Sequence, residues 1–447
     1  MPWISTRGRA PAATFRDALF AGLAPDGGLY VPDRLEPLRP ETVESLRGAS
    51  MAEVGAAVAA HLVGGEIPKD ALELLVSQAL DFDIPLVPVG DRFALELFHG
   101  PTFAFKDVGA RTMARLMAHF ANTAPRPERG AGAGDVPLTV LAATSGDTGS
   151  AVAQAFAGLS GTRVVVLYPD GQVSDVQEAQ FATIGGNVQA VAVAGTFDDC
   201  QALVKAAFAD PALCAAARLT SANSINVGRL LPQIFYYAWG ALQQPQAVWS
   251  VPSGNFGNLT AGLIAKRLGF PIAQFVAATN VNDVVPEYLA SGTYTPRASV
   301  RTIANAMDVG APSNFERILA LYGGSVDAIR MDVHGVAFED RQVTAAIADV
   351  YARHRYLLDP HSAIAWLGLD SVIRDPRSAV RDPGSAIRGP HVFVATAHPA
   401  KFRETVEPAI GRRVELPRAL EDALTKPRLI TRIAPQLDQL SRLILAT

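Results

Sequence analysis

Cysteine is scarce in this sequence, and neither cysteine lies where it could join a metal site or a redox pair. The 447 residues include only Cys200 and Cys214, separated by an alanine-rich, helix-like stretch. No C-x-x-C motif and no Cys/His spacing typical of a metal site occurs. We therefore expect two unreactive thiols in a reducing compartment, and no resident metal.

Long apolar runs and an excess of positive charge are also missing. No stretch of about 18 apolar residues occurs, and residues 3–8 do not form a charged and then apolar leader, so we expect a cytoplasmic protein without a membrane span. The 39 Lys and Arg against 43 Asp and Glu give a net charge of −4, with no basic tract. Nucleic acid is therefore not an expected partner.

The composition that remains is that of a well-buried globular protein. Hydrophobic residues make up 49% and charged residues 18% of the chain, and its length suggests roughly two or three domains. Residues 1–90 predict a mainly helical N-terminal domain, with helices over 15–23, 52–63 and 68–80. Between the first two helices, residues 24–32 combine a dense turn signal with a short extended segment.

From about residue 86 the pattern changes to short apolar runs followed by helices, which is typical of a parallel sheet with crossover helices. This alternation predicts an α/β fold. The predicted strands are 138–143, 163–168, 188–193, 247–251, 274–278 and 392–395. The predicted helices between them are 149–159, 197–209, 227–239 and 259–268.

Two segments are interpreted as surface loops. Residues 121–135 are rich in Pro, Gly and Ala and indicate a linker, which would mark a crossing between two lobes. Residues 373–390 repeat a short unit, as IRDPRSA, VRDPGSA and IRGP. Three copies of so short a unit do not make a solenoid, so we predict an exposed insertion without chemistry.

Lys106 stands out because aromatic residues flank it, after a Gly-Pro turn and at a predicted helix start. A free lysine amine has a pKa of about 10.4 and is a poor nucleophile at neutral pH. Burial would lower that pKa and allow the amine to form a Schiff base with an aldehyde cofactor. The alternative is a snorkelling or ion-paired lysine, with Asp107 as a helix cap.

Two loops follow predicted strands and open helices, where ligands bind in parallel-sheet proteins. The hydroxyls and glycines of the loop 144–149 could bind an anion such as a substrate carboxylate, or could simply cap the helix. In the loop 252–259, Gly254 and Gly257 would let backbone N–H groups converge on a phosphate. This loop is neither a Walker loop nor a GxGxxG motif, and its alternative is a plain strand-to-helix turn.

Two further segments carry weaker signals. Thr396 ends a predicted strand, where its hydroxyl could face a ring nitrogen; alternatively it caps the next helix, with His398 a satisfied surface or core histidine. The run Asp359-Pro360-His361-Ser362-Ala363 is interpreted as a helix cap.

Taken together, these segments resemble the threonine synthase family, whose members are pyridoxal-phosphate enzymes of fold type II. The resemblance spans nearly the whole chain, in the order ISTRG, LAPDGGLYVP, HGPTFAFKD, TSGDTGSA, SINVGRLLPQ, VPSGNFGN, DPHSA and TAHPAKF. It implies two lobes based on parallel sheets and a mainly helical N-terminal domain, as in the longer subclass. The expected large, cofactor-binding domain covers 91–120 and 222–447, and the small domain covers 136–221.

The resemblance also implies roles for individual residues. Lys106 resembles the lysine that binds pyridoxal 5'-phosphate, and Thr396 the hydroxyl beside its ring nitrogen. The cofactor phosphate would bind the run Ser253, Gly254, Asn255, Phe256, Gly257 and Asn258. The substrate carboxylate would bind the loop of Thr144, Ser145, Asp147 and Thr148, in which many relatives of the wider fold group carry Asn at the position of Asp147.

The implied reaction converts O-phospho-L-homoserine and water to L-threonine and phosphate. Arg7, Arg111 and Arg229 are candidates to bind the substrate phosphate because arginine binds phosphate bidentately; each could equally form a structural ion pair. Secondary candidates are Ser5, Thr6 and Thr102. We expect a small-molecule substrate and a monomer or homodimer.

Three other functions are alternatives to this one. Within the same cofactor class, the chain could be a threonine dehydratase or a phospho-lyase, which the N-terminal segments and SGDTG disfavour. A non-catalytic relative that binds a phosphorylated metabolite would not need Lys106. A nicotinamide-dependent oxidoreductase is disfavoured because no dinucleotide fingerprint occurs.

Overall fold

A computed structural model describes residues 1–123, 136–374, 381–382, 385–386 and 389–446 of the chain. Within these residues no helix combines the length and the apolar character needed to cross a bilayer.

Both cysteines are free, and burial raises the pKa of the Cys200 thiol to about 12, so this thiol stays protonated and unreactive.

The strands of the described residues form two larger sheets and two short pairs. In chain order they are β1 (Trp3–Ser5), β2 (Tyr30–Pro32), β3 (Leu86–Val89), β4 (Arg92–Glu96), β5 (Leu138–Ala143), β6 (Thr162–Pro169), β7 (Val188–Val193), β8 (Leu219–Ser221), β9 (Ala247–Pro252), β10 (Ile272–Thr279), β11 (Val333–Ala337), β12 (Arg381–Asp382), β13 (Ser385–Ala386), β14 (His391–Ala395) and β15 (Ile430–Ile433).

Helices cover both larger sheets. They are α1 (Phe15–Ala21), α2 (Pro40–Ser45), α3 (Met51–Val63), α4 (Lys69–Ala79), α5 (Lys106–Thr123), α6 (Asp147–Phe156), α7 (Asp175–Ala182), α8 (Phe197–Ala209), α9 (Pro211–Ala217), α10 (Val227–Leu230), α11 (Gln233–Gln243), α12 (Gly257–Arg267), α13 (Val284–Ser291), α14 (Phe315–Leu321), α15 (Val326–Asp332), α16 (Asp340–His354), α17 (Pro360–Arg374), α18 (Arg403–Ile410), α19 (Arg418–Thr425) and α20 (Leu437–Leu445). Single 3₁₀ turns lie at Asn305–Met307 and Pro399–Phe402.

The six-stranded sheet has the order β11-β10-β9-β14-β4-β3, and only the β3–β4 pair is antiparallel. The five-stranded sheet has the order β15-β7-β6-β5-β8 and is parallel throughout. All six residues of β9 are buried, because helices cover both faces of a parallel sheet. Such strands are therefore mostly apolar along their whole length. The predicted α/β class is confirmed.

Most predicted elements are confirmed, with one helix divided in two. The predicted helix 227–239 is broken between α10 and α11, where Pro232 is the N-cap residue of α11. Proline lacks a backbone N–H and its ring clashes with the preceding turn, so it ends one helix and begins the next. By contrast, β5 and α8 have the predicted bounds.

Two segments pair outside the domain to which the sequence assigned them. β3, within the predicted N-terminal domain 1–90, pairs with β4 of the six-stranded sheet. β15, within the predicted large domain 222–447, pairs with β7 of the five-stranded sheet. Both are four-residue strands, and their partner is set by long-range packing that no local pattern records.

The N-terminal helix α3 packs directly on α11. A Cβ added to Gly55 in α3 would lie 2.8 Å from Cδ2 of Phe235 in α11, so glycine is required for this close approach of two helices. Val54 and Phe235 belong to the largest core cluster, which continues to Trp249 of β9. The N-terminal segment therefore shares one core with the six-stranded sheet.

The two predicted surface loops fall largely outside the described residues. Of the predicted linker 121–135, residues 124–135 are not described. Of the predicted insertion 373–390, residues 375–380, 383–384 and 387–388 are not described, and between them β12 pairs with β13 in an antiparallel ladder.

Candidate active site

One cavity gathers the loops that follow β4, β5, β9 and β14, at the carboxyl ends of strands from both larger sheets. This is the edge at which parallel α/β sheets bind ligands. Thirteen of the fifteen site residues predicted from the sequence line it: Lys106, Thr144, Ser145, Asp147, Thr148, Arg229, Ser253, Gly254, Asn255, Phe256, Gly257, Asn258 and Thr396. Arg7 and Arg111 are the two that do not.

Lys106 is the first residue of α5, and it is half-buried at the cavity wall. Its Nζ lies 5.4 Å from the ring centroid of Phe105 and makes no hydrogen bond to any residue that the structure describes. Desolvation lowers the pKa of this amine to about 8; Asp147 opposes the shift, while Lys401 and Arg229 add to it. A substantial neutral fraction is therefore available near neutral pH.

Asp107 does not form an ion pair with Lys106. Its carboxylate is buried and accepts hydrogen bonds from the backbone N–H of Thr102 at 2.8 Å and from the Thr102 hydroxyl at 2.6 Å. Burial raises the pKa of Asp107 to about 6. Asp107 therefore fixes the turn before α5, and the Lys106 amine stays free of it.

The loop after β5 combines capping with a surface that faces the cavity. The Thr144 hydroxyl accepts from the N–H groups of Gly146 at 2.9 Å and Gly149 at 2.8 Å, so this side chain organises the turn. A Cβ on Gly146, whose φ is +139°, would lie 2.4 Å from Cδ of Gln177. The side chain of Asp147, in the first turn of α6, is buried.

Asp147 lies in a hydrogen-bonded network that includes Lys401. The Lys401 Nζ lies 2.7 Å from Oδ1 of Asp147, and Gln177 Nε2 donates to the same oxygen at 2.9 Å. Burial opposes ionisation, but Lys401 and Lys106 together hold the pKa of Asp147 well below its usual range. Sequence reasoning missed Lys401, although it lies in the TAHPAKF segment.

The loop after β9 presents unpaired backbone donors. Gly254, Asn255 and Phe256 donate no backbone hydrogen bond to any residue that the structure describes. Phe256 has a φ of +60°, and α12 begins at the next residue. A turn of this kind, with N–H groups converging at a helix start, forms an anion-binding nest.

The glycine at position 254 is required by close backbone packing. A Cβ there would lie 2.7 Å from Cα of Met307 and 2.8 Å from the carbonyl oxygen of Ala306. Neither atom belongs to a flexible side chain that could move aside. The 3₁₀ turn Asn305–Met307 therefore packs closely on the loop after β9.

The polar side chains of this loop divide into framework groups and one free donor. Asn255 donates to the Ser224 hydroxyl at 2.6 Å and accepts from the Ser313 N–H at 2.5 Å, and Ser253 donates to the carbonyl of Val251 at 3.0 Å. These side chains hold neighbouring loops together. Their contribution to ligand binding would come from the backbone.

Asn258 supplies the free donor. Its Oδ1 accepts hydrogen bonds from the hydroxyls of Tyr236 and Tyr237, both at 2.7 Å. Burial raises the pKa of both tyrosines well above the ordinary value, so they remain donors. Asn258 Nδ2 is buried without a partner, which is costly unless a ligand satisfies it.

Thr396 follows β14 and lies beside the Lys106 segment. Its carbonyl accepts from the backbone N–H of Phe105 at 2.8 Å, and its hydroxyl has no partner among the described residues. It does not cap the following turn, because His398 does so by accepting from the N–H of Ala400 at 3.1 Å. Burial lowers the pKa of the half-buried His398 to about 4, so its ring is neutral and Nδ1 can accept this hydrogen bond.

Among the three candidate arginines, Arg229 lines the cavity. Its Nη1 donates to the carbonyl of Ala222 at 2.6 Å, while its buried Nε has no partner; burial lowers its pKa to about 10. Arg7 instead pairs with Glu316 at 3.2 Å. Arg111 pairs with Asp81 at 2.5 Å and donates to the carbonyl of Ala79 at the end of α4.

The three secondary candidates do not line the cavity either, since each is part of the framework. Ser5 donates to Asp26 at 2.7 Å, Thr6 to Glu316 at 2.6 Å, and Thr102 to Asp107 at 2.6 Å. Their hydroxyls are therefore committed to other side chains.

The cavity also includes residues that sequence reasoning did not select, among them Lys205, Asp308 and His361. The His361 Nδ1 lies 2.7 Å from Asp359, and its Nε2 accepts from the N–H of Ala306 at 3.2 Å. Asp359 also accepts from the N–H groups at the start of α17, so the predicted helix cap is confirmed. The signal that could have located His361 was its place in that cap.

The donors of the cavity fit pyridoxal phosphate. The Lys106 amine is unpartnered, the nest at 254–256 has free N–H groups for a phosphate, and the hydroxyl of Thr396 is unpaired. Buried atoms without partners at Asn258 Nδ2, Asn223 Oδ1, Asn305 Oδ1 and Arg229 Nε belong to residues of the same cavity. Unsatisfied buried polar groups are rare in folded proteins, and their concentration here indicates a polar ligand.

Comparison with known families agrees with this geometry. The chain matches a family described as "Pyridoxal-phosphate dependent enzyme" over residues 92–379. It matches "Threonine synthase N terminus" over 2–80 and "Threonine synthase, C-terminal" over 378–444. Together these matches run through almost the entire chain.

Individual relatives are similar over nearly their full length. The threonine synthase of Serratia marcescens is 43% identical over 91% of this chain and 90% of its own, and that of Escherichia coli is 42% identical over 93% and 92%. The crystal structure of the Escherichia coli threonine synthase has a TM-score of 0.89, at 39% identity and 100% coverage of both chains. The crystal structure of PLP-bound threonine synthase from Brucella melitensis has a TM-score of 0.88, at 37% identity, covering 100% of this chain and 99% of its own.

The similarity in sequence and in fold extends over nearly the whole chain. The chain belongs to the threonine synthase family of pyridoxal-phosphate-dependent enzymes.

Proposed function

We propose that this cavity converts O-phospho-L-homoserine and water to L-threonine and inorganic phosphate. The observation that carries the proposal is the Lys106 amine, which lines the cavity without a hydrogen-bond partner in the described part of the chain. When bound, pyridoxal phosphate supplies an electron sink that stabilises negative charge on the carbons next to the substrate amine. The residues of the chain bind, orient and move protons around it.

The cofactor would be held at three places. Lys106 would bind its aldehyde through Nζ, and the N–H groups of 254–256, with Asn258 Nδ2 as a further donor, would bind its phosphate. Thr396 would face its ring nitrogen. A hydroxyl, unlike a carboxylate, does not require a protonated nitrogen, so this partner would limit side reactions that need the ring's full electron-withdrawing power.

Lys106 would also act as the proton carrier once the substrate amine has displaced it. An amine with a pKa of about 8 is neutral often enough to take a proton from the substrate Cα and still returns it readily. General bases work best when their pKa lies near the operating pH. The lowered pKa of the Lys106 amine suits both directions of transfer.

The substrate would be held by two groups of residues that line the cavity. Ser145 and Thr148, with the start of α6, would bind its carboxylate. For its phosphate we propose Arg229 and Lys205, which with Lys106 are the lysines and arginines among the described residues that line the cavity. Arg7 and Arg111 are committed to other partners.

The proposal also covers the setting of the enzyme. A chain with a net charge of −4 and no basic tract suits a cytoplasmic enzyme that acts on a small molecule and not on nucleic acid. We propose a monomer or homodimer, because the described site is assembled from loops of a single chain.

A steady-state assay with O-phosphohomoserine tests the proposed reaction. Release of inorganic phosphate with threonine formed in equal amount supports the proposal. Release of ammonia and a keto acid from threonine or serine, without phosphate release from O-phosphohomoserine, would support a dehydratase instead. Binding of a phosphorylated amino acid without turnover would support the non-catalytic alternative.

A further inference from the structure

Lys401 is a fully buried lysine, and its only charged partner within 4 Å in the described part of the chain is Asp147, which is itself 4% exposed. The Lys401 Nζ lies 2.7 Å from Asp147 Oδ1 and donates to the carbonyl of Thr102 at 2.8 Å. Burying two charges is expensive and is tolerated only with close pairing and further hydrogen bonds. Such a pair beside a reactive amine calls for a functional explanation.

The pair connects three parts of the chain at the cavity wall. Lys401 lies in the 3₁₀ turn after β14, Asp147 begins α6, and Thr102 belongs to the turn before Lys106. Gln177 and Gln180, both on α7, add hydrogen bonds to Asp147 at 2.9 Å and to the Thr102 carbonyl at 3.0 Å. Rotation of Lys401 or Asp147 would therefore disturb the Lys106 segment.

The two oxygens of Asp147 differ in their surroundings. Oδ1 accepts from Lys401 and Gln177. Oδ2 has no hydrogen-bond partner among the residues that the structure describes, and Asp147 lines the cavity. The residue thus presents one committed oxygen and one that remains available to a ligand.

We propose that Lys401 is a positioning residue, whose ammonium neutralises Asp147 so that this carboxylate can face the cavity without holding the Lys106 nitrogen in its positively charged form. An uncompensated carboxylate beside Lys106 would favour the ammonium, which cannot attack an aldehyde or accept a substrate proton. The charged groups that act on Lys106 are Asp147, Lys401 and Arg229. Of these, only Lys401 contacts Asp147 directly.

Three variants separate this role from simple packing. Lys401→Met removes the cation and keeps the length of the side chain, Asp147→Asn removes the anion, and the double variant removes both. The double variant leaves no unpaired buried charge, so it remains informative if Lys401→Met fails to fold. Lys426→Met, at an exposed site, is the control for changing a lysine as such.

The main measurement is the pH midpoint of the visible absorption change of bound cofactor in the holoenzyme. We expect Lys401→Met to raise this midpoint by about one pH unit or more, and Asp147→Asn to lower it, since a close charge shifts a pKa by about 1–3 units. The double variant should lie between the two, near the unaltered enzyme. The pH below which kcat falls to half of its maximum should move in the same direction in each variant. Lys426→Met should change neither this pH nor the absorption midpoint.

The proposal would be overturned if the pH midpoint moved in the same direction in both single variants. It would also be overturned if Lys401→Met folded with a lower unfolding temperature but kept the pH midpoint of the unaltered enzyme. The proposal rests on the proposed role of Lys106 in binding the cofactor, and Lys106→Ala tests that role separately. If Lys106→Ala retains the covalently bound, pH-sensitive chromophore, the role of Lys106 fails whatever the Lys401 variants show.

Discussion

The backbone N–H of Phe105 donates to the carbonyl of Thr396 at 2.8 Å. This bond joins the residue before the proposed cofactor lysine to the residue proposed to face the cofactor ring nitrogen. A backbone bridge between Ala104 and Ala397 lies next to it. The start of α5 and the end of β14 are therefore held in one rigid arrangement, although almost three hundred residues of chain separate them.

Replacement of Lys106 by alanine is expected to abolish turnover and leave the fold intact. The side chain makes no hydrogen bond in the described part of the chain, so its loss should cost little stability, while removal of a covalent group lowers activity by about a thousandfold or more. Phosphate release, the visible spectrum and thermal unfolding would be measured together. Lys69→Ala, at an exposed site, is the matched control, and substantial residual activity in Lys106→Ala would contradict the assignment.

Cofactor uptake should depend on pH as expected for an amine with a lowered pKa. With a pKa of about 8, about one tenth of Lys106 is neutral at pH 7, against less than about 0.1% for an ordinary lysine. After removal of cofactor, the rate of its recombination, followed by stopped-flow absorbance, should rise with pH, reach half of its maximum near pH 8 and level off above about pH 9. A rate that keeps rising towards pH 10 would show that Lys106 is not desolvated.

Substitution of Gly254 by alanine should weaken cofactor binding more than substitution of Gly257. A Cβ at 254 would lie 2.7 Å from the backbone of Met307, whereas one at 257 would lie 3.3 Å from the side-chain Nδ2 of Asn314. Overpacking of this kind costs about 1–3 kcal/mol, which corresponds to about a 5- to 150-fold higher dissociation constant for the cofactor. Equilibrium dialysis measures the dissociation constant of the cofactor in both variants. An equal increase of this constant in the two variants would argue against close packing at position 254.

Replacement of Thr102 by valine should destabilise the fold in a pH-dependent way. The Thr102 hydroxyl donates to the buried Asp107 at 2.6 Å, and loss of a hydrogen bond to a charged group costs about 1.5–3 kcal/mol. Burial raises the pKa of Asp107 from 3.8 to about 6, so the folded protein binds the extra proton between these values. Near pH 8 Asp107 is charged, and the loss of unfolding free energy in Thr102→Val should be full. Near pH 5 Asp107 is mostly protonated in the folded protein, and the loss should be smaller.

Denaturant unfolding at both pH values measures the effect of Thr102→Val. Thr425→Val, which removes an exposed hydroxyl bonded to a carbonyl, should cost little at either pH. A penalty in Thr102→Val that does not vary with pH would indicate that Asp107 keeps one protonation state throughout.

Replacement of Lys205 should weaken substrate binding more than replacement of Arg7. Lys205 lines the cavity, while Arg7 pairs with Glu316 away from it. Lys205→Gln should raise KM for O-phosphohomoserine about tenfold with the cofactor spectrum unchanged, because a lost contact to a charged phosphate costs about 1.5 kcal/mol. Arg7→Gln should change KM by less than about twofold, and the reverse order would restore the sequence-based hypothesis.

The sequence by itself determined which segments line the cavity. The bounds of β5 and α8 match their predictions, because apolar periodicity and caps such as Thr196 are local signals. The loops 144–149 and 252–259 lie at the ends of parallel strands, as their place after apolar runs indicated. Strand-end geometry is general to this architecture, so their convergence with Lys106 could be inferred without coordinates.

Only the tertiary structure decided which charged side chains face the cavity. Arg111 lies five residues after Lys106 on the same helix, yet it turns to the end of α4, and Lys401 reaches Asp147 across more than two hundred and fifty residues. The pairing of β15 with β7 likewise joins segments that are distant in the chain. Side-chain direction and long-range pairing depend on neighbours that are distant in the chain, and no local pattern encodes them.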